Sequence, residues 1–247
     1  MDRGTVSQRA PFWRRIARRG LSAPVVRLVA PGWPDAGRRV VQRPPLESLI
    51  GQAAAGNGNG TRIKRALNAG AGEGLHTPVI RRFAGNALLL EFDVSRPTER
   101  PADGERFCAS LTAIPLPDAS IDLAVCTEVL EHVPDDEQAV AELRRVLSAH
   151  GALVLSVPTP PAVFDPAHVR EGYTLQELAA LFERHGLRIE EARYCMHACF
   201  KMVLQYWRPY RIPLGVIVGL AWVDRWLRLG TPMDVVVLAR PRTDDAC

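Results

Sequence analysis

The sequence predicts an α/β fold: a seven-stranded, mostly parallel sheet with helices on both faces, and a C-terminal helical cap inserted before the last strand. Three observations predict it. From about residue 61 onward, short apolar runs alternate with amphipathic helical patterns, the signature of a parallel sheet with crossover helices. A glycine-rich turn, Gly70-Ala71-Gly72-Glu73-Gly74, follows the first run and leads into the first helix. An acidic residue, Asp93, closes the second run about 20 residues further on, where a ribose-binding carboxylate stands in nucleotide-binding sheets.

The expected strands are Arg65–Ala69, Ala87–Asp93, Phe107–Ala109, Ile121–Cys126, Ala152–Val157, Leu187–Tyr194 and Val235–Ala239. Between the fourth and fifth, Asp135 or Asp136 can cap a helix with Ala139, Val140, Leu143, Val146 and Leu147 on its apolar face, and His150-Gly151 stops it. Thr174-Leu175-Gln176-Glu177 reads as a capping box, opening a helix with Leu178, Leu181 and Phe182 inward. Pro78 sets the start of the first helix near Thr77. Residues from about 195 to 230 carry Tyr206, Trp207, Tyr210, Trp222 and Trp226 without one clean period, and read as the helical cap.

The organisation before residue 61 is different. Residues 1–45 hold ten arginines against Asp2 and Asp35, so a basic arm precedes a mildly acidic remainder. Prolines 24, 31, 34, 44 and 45 argue against regular structure there, Leu46 to Ala55 suits a short helix, and Gly56 to Gly60 reads as a flexible break. The expected division is therefore an arm and linker over 1–60 and one domain over 61–247. Such an arm can meet anionic lipid, nucleic acid or an acidic partner, or simply be solvated.

The fractions of hydrophobic (47%) and charged (23%) residues are those of a folded globular chain, which excludes a disordered or disulfide-stapled class. Five cysteines at irregular spacings suggest reduced thiols and a cytoplasmic setting. Cys195-x-His197-x-Cys199 matches no zinc spacing, and no metal site is expected. The longest apolar run, Ile212 to Val223, falls short of a bilayer span. With Trp222, Arg225, Trp226 and Arg228 it suits a helix lying in a membrane interface, so peripheral membrane contact through the arm and residues 212–229 is an expectation. Nucleic acid is a poorer fit, because the positive charge lies outside the domain and lacks interleaved aromatics.

The glycine turn alone is weakly informative. It suits a nucleoside cofactor, a nicotinamide dinucleotide or a plain strand-to-helix turn. Asp93 narrows this, with Glu91 on the same strand face as the fallback. More specific is the stretch Ile114-Pro115-Leu116-Pro117-Asp118-Ala119-Ser120-Ile121-Asp122, followed by Glu128-Val129-Leu130-Glu131-His132-Val133 and Arg145-Val146-Leu147 before Gly151. In order and spacing, Leu67 to Pro158 resembles the class I, Rossmann-like methyltransferases of the type 11 group.

The resemblance implies S-adenosylmethionine as cofactor and methyl transfer to a small-molecule, lipid or glycan acceptor, with oxygen favoured. It implies that Asn68, Gly70 and Gly72 face the methionine part, that Gly74 belongs to the same cofactor-binding loop and that Asp93 holds the ribose. Ser110 and Leu111 would flank the adenine, while Cys126 and Thr127 would lie beneath the sulfonium. His132, His168 and Glu128 are the candidate bases. The chain departs from the family at Asn68, where an acid is usual, at Ser110, where an aspartate is usual, and at Ala149-His150-Gly151, which stands for Pro-Gly-Gly. These departures keep open a second reading, a repurposed or non-catalytic member acting through a membrane or partner.

Overall fold

The computed structural model describes residues 31–32, 37–56, 63–95, 105–207 and 212–242. In chain order its elements are β1 (Pro31–Gly32), α1 (Arg38–Ala55), β2 (Arg65–Ala69), α2 (Thr77–Ala84), β3 (Leu88–Asp93), β4 (Glu105–Cys108) and β5 (Ile121–Thr127). A 3-10 turn (Leu130–His132) precedes α3 (Asp136–Val146), β6 (Leu147–Pro158), α4 (Leu175–Arg184) and β7 (Leu187–Cys195). The chain then runs through α5 (Ala198–Trp207), β8 (Ile212–Pro213), α6 (Leu214–Leu227) and β9 (Asp234–Pro241).

The main sheet has seven strands in the order β4-β3-β2-β5-β6-β9-β7, and β9 runs antiparallel to both its neighbours. All seven expected strands are present. β1 and β8 form a separate antiparallel pair.

Strand alternation distributes the core to two faces. Leu123 and Val125 of β5, Val154 of β6 and Val236 and Leu238 of β9 pack with α1 and α2, beneath α5 and α6. Ala124 and Cys126, Leu153 and Leu155, and Val235 and Val237 pack on the opposite face with α3 and α4. Thr174 and Glu177 form the expected capping box of α4, and Asp135 caps α3 by accepting from the Gln138 amide at 3.0 Å.

Two expectations change. Residues 38–45, expected to be irregular, are the first half of α1, an 18-residue helix that contains Pro44 and Pro45. Burial holds it: Val41, Leu46, Leu49 and Ile50 are almost fully enclosed. At Gly37, before its first turn, a Cβ would stand 2.4 Å from Phe200 and 2.8 Å from Ile217, so α1 is seated tightly against α5 and α6. The second change is at α3, which stops at Val146 rather than near His150. Leu147 already pairs with Ile121, and Ser120 N–H donates to the Val146 carbonyl at 2.9 Å, so the chain turns into β6 earlier. The cap segment forms α5 and α6, and buried Asp224 of α6 accepts from the amides of His197 and Phe200 at the start of α5. Among the described residues no helix is long and apolar enough to cross a membrane.

Candidate active site

A cleft of about 440 Å³ opens where the sheet order reverses, between the C-terminal ends of β2 and β5. Ligands bind at such a switch point in open α/β sheets, because the neighbouring connections depart to opposite faces and leave a crevice. The cleft is walled by Gly70, Ala71 and Gly72 on one side and by Thr127, Glu128, Glu131, His132 and His168 on the other, with Arg38 and Gln42 of α1 also contributing.

The floor is built by backbone. Gly70 takes φ +71°, and a Cβ there would lie 2.2 Å from Val129 Cγ2, so the turn after β2 meets the turn after β5 only because the side chain is missing. Gly72 takes φ +50° with nothing within 4 Å of its would-be Cβ, so that face is open. Its amide donates to Asp93 Oδ2 at 2.9 Å, while Ser95 N–H and Oγ donate to Oδ1 at 3.0 and 2.7 Å. Partial burial alone would raise the Asp93 carboxyl. The bonds from Ser95 and Gly72 and the charge of Arg106 outweigh that and hold it below the usual carboxylate range. Asp93 is therefore a pre-formed anion at the end of β3.

Behind this floor, Glu91 collects the polar groups of three elements. Asn68 Nδ2 donates to its Oε1 at 2.9 Å, Thr77 Oγ donates to the same oxygen, and Arg106 pairs with Oε2 at 2.9 Å. Glu91 is fully buried. Asn68 thus spends its side chain on β3 rather than facing the cleft. Gly74 belongs to this packing too, since a Cβ would stand 2.6 Å from Arg106 and 3.0 Å from Thr77 Oγ1.

Cys126 also faces away. It is fully buried on the α3–α4 side of the sheet, and burial pushes its thiol well up; Thr127, the next residue, is the one that reaches the cleft. Ser110 and Leu111 follow β4. The Ser110 hydroxyl bonds Thr112 Oγ1 at 2.8 Å and accepts from the Thr112 amide at 3.2 Å, and Leu111 is buried in the same core cluster as Cys126.

The far wall carries the titratable groups. Arg38 donates to Glu128 Oε2 at 2.7 Å, and Ser156 Oγ donates to Oε1 at 2.9 Å. His132 Nδ1 lies 2.9 Å from the Ala167 carbonyl, and its ring meets that of His168 edge-on with centroids 4.6 Å apart. Desolvation, then the neighbouring His132, lowers the His168 pKa, so its ring is neutral near pH 7. Below them Gln42 donates to the buried Asp234 at 2.6 Å. Asp234 is held well above the usual carboxylate range, first by burial and then by Glu128. His132, His168 and Glu128 are thus brought together as the sequence suggests. Arg38, Gln42, Glu131 and Asp234 are additions: the first two lie where an arm was expected, and only the histidine of the Leu-Glu-His-Val segment drew attention.

This geometry coincides with what comparison finds. Residues 67–155 match the family model described as "Methyltransferase domain". Over these residues the chain is similar to the class I, type 11 group of S-adenosylmethionine-dependent methyltransferases. A Mycolicibacterium smegmatis protein named "Probable S-adenosylmethionine-dependent methyltransferase" is 33% identical over 144 residues, covering 53% of this chain and 54% of that protein. The chain spans about half the length of the curated relatives it matches. Among solved structures, an S-adenosylmethionine-dependent methyltransferase from Mesorhizobium loti superposes with a TM-score of 0.54 at 20% identity, over 80% of this chain and 96% of that one. The Burkholderia thailandensis 1,6-didemethyltoxoflavin-N1-methyltransferase, solved with bound 1,6-didemethyltoxoflavin and S-adenosylhomocysteine, gives 0.52 at 17% identity, over 79% of each chain. Both share the Rossmann-like fold of this methyltransferase domain.

Proposed function

We propose that the protein transfers the methyl group of S-adenosylmethionine to an oxygen of a small-molecule, lipid or glycan acceptor. The observation that carries this reading is the cleft itself, which sets the open Gly70–Gly72 floor opposite a wall of two imidazoles and a carboxylate. Its residues fit the cofactor: Gly72 presents an unobstructed backbone, and Asp93, kept ionised beside it, can accept from two ribose hydroxyls. When bound, the cofactor supplies an activated methyl on a cationic sulfur.

The chain's own task is then alignment and proton removal. Thr127 and Glu128, at the end of β5, line the space between the floor and the histidines. An imidazole that is neutral near pH 7, as His168 is, can take a hydroxyl proton as the acceptor oxygen is methylated. The Arg38–Glu128 pair closes the same wall, so α1 belongs to the acceptor side.

A lipid or lipid-linked acceptor gains support from α6. Trp222 and Trp226 are 55% and 83% exposed, Arg225 lies 4.7 Å above the Trp222 ring, and Val216, Val223 and Leu227 are exposed beside them. That combination suits a membrane interface, with the arginine-rich segment before residue 45 adding attraction to anionic lipid. Calorimetric titration with S-adenosylmethionine tests the first step, and transfer of labelled methyl to fractionated extracts tests the second. Absence of binding at millimolar cofactor would overturn the reading.

A further inference from the structure

Glu131 has no role in the reading above, yet it is the most anomalous polar group in the cleft. Its side chain is fully buried, and neither carboxylate oxygen has a hydrogen-bond partner among the described residues. Its backbone is fixed, since the amides of Val169 and Arg170 both donate to its carbonyl. Protonation alone does not resolve the anomaly, because the O–H so formed would itself need an acceptor, and a buried unmatched group costs roughly 1–3 kcal/mol. A cation at the carboxylate would resolve it.

The neighbours are suited to hold one. The Ala167 carbonyl can only accept, so the His132 Nδ1 bonded to it carries the proton. The lone pair of the neutral ring is therefore on Nε2, which faces Glu131 Oε1 at 4.0 Å. A carbonyl on the far nitrogen is the usual way a ligating histidine is oriented. One ring nitrogen of His168 completes the group, and the three ligand atoms lie within 4.8 Å of one another. Charge favours a cation as well: Glu73, Glu128, Glu131 and Asp165 line the cleft against Arg38.

We propose that Glu131, His132 and His168 form a divalent transition-metal site, one carboxylate and two imidazoles, whose remaining coordination positions open into the cleft. Ligand bonds near 2.0–2.2 Å put tetrahedral ligand atoms about 3.4 Å apart, so the three side chains close by about 1 Å on binding. Two nitrogens and one oxygen suit zinc, cobalt or iron(II) better than magnesium or calcium. Where the methyl-transfer reading also holds, the metal replaces His168 as the means of activation, because a ligated imidazole no longer takes the proton: the metal takes an acceptor hydroxyl and lowers its pKa. The hydroxyl proton then leaves to solvent, the oxygen bonds the methyl carbon, and the carbon–sulfur bond breaks with its electron pair remaining on sulfur. Metal binding itself does not depend on that reading.

The test uses tag-free, full-length protein stripped with chelator. Titration with Co²⁺ followed by visible absorption, and equilibrium dialysis with Zn²⁺, should give one ion per chain. Glu131→Gln and His168→Ala should each weaken binding about tenfold or more, while His150→Ala, at the opposite end of β6, leaves it unchanged. Melting curves matching the parent show that the variants fold, and Glu131→Gln, nearly isosteric, guards against collapse of the site. No stoichiometric binding, or binding undiminished in both variants, overturns the proposal. Calorimetry with S-adenosylmethionine in metal-free buffer keeps the two readings apart: cofactor binding without metal binding sinks only the metal site, and the reverse sinks only methyl transfer.

Discussion

Arg38 and Glu128 are 90 residues apart in the chain and 2.7 Å apart in the cleft, where the guanidinium of α1 donates to a carboxylate at the end of β5. Glu128 holds φ +54°, a left-handed conformation unusual for a side chain of its size, so its position is set by the bonds from Arg38 and Ser156. Arg38→Ala leaves that partly buried carboxylate short of a charged partner. We expect a loss of about 1.5–3 kcal/mol in urea unfolding, and a larger fall in acceptor turnover than in cofactor affinity measured by calorimetry. Arg38→Lys should recover only part of either, because a point charge does not reproduce the guanidinium fork.

Gly70 and Gly72 both have positive φ but differ in what a side chain would meet, and alanine scanning should separate them. Gly70→Ala drives a methyl into Val129 and should cost about 1–3 kcal/mol, with Val129→Ala relieving part of it in the double variant. Gly72→Ala meets open space and should cost only about 1–2 kcal/mol for the left-handed backbone. Its main effect should fall on S-adenosylmethionine affinity. Equal effects of both on stability, with cofactor binding intact, would show that the open face at Gly72 is not the cofactor's.

Asp93 gives a pH signature. Its folded pKa is lowered below the ordinary 3.8, so its stabilising bonds are fully present above that value and are lost as pH falls through the lower folded value. Urea midpoints measured down the acid range should fall more steeply for the parent than for Asp93→Asn below about pH 4. At neutral pH the same variant should bind S-adenosylmethionine at least tenfold more weakly, since an amide offers one acceptor where the carboxylate offers two oxygens.

Trp226 and Trp222 project from α6 with little to pack against, so replacing both with alanine should change stability by no more than about 0.5 kcal/mol. Sedimentation with anionic vesicles should nonetheless drop severalfold, and high salt should reduce what remains through screening of the arginines. Unchanged sedimentation would remove the membrane from the proposed acceptor side.

The sheet was legible because each strand is a short apolar run between turn signals, and the two covered faces demand such runs. Even Cys126 could have been placed: with period 2, it shares the inward face of Ala124, which leaves Thr127 to the cleft. The first half of helix α1 was hidden because Pro44 and Pro45 oppose it locally. Its helicity comes from burying Val41, Leu46, Leu49 and Ile50 against elements more than a hundred residues away, which no window of sequence contains. The unpartnered state of Glu131 is hidden for the same reason, since it depends on what the loop through His168 fails to offer.

Arg145 tests whether the most diagnostic stretch of sequence is structural or chemical. From the last turn of α3 its guanidinium donates to both oxygens of Glu142, to Asp118 and to the carbonyls of Ile114 and Leu116, while Glu142 accepts from the Ile114 amide. These bonds pin the segment that leads into β5. Arg145 is absent from the residues lining the cleft, which makes it a positioning residue. Arg145→Ala strips several charge-assisted bonds at once and should destabilise by about 2–4 kcal/mol, given about 1.5–3 for a bond to a charged group and partial compensation by water. Arg145→Lys should restore less than half, because the planar fork serves acceptors in several directions. At a temperature where each variant remains folded, S-adenosylmethionine affinity should stay within about threefold of the parent, under 1 kcal/mol. A larger loss of affinity than of stability would mean that the segment before β5 contacts the cofactor directly.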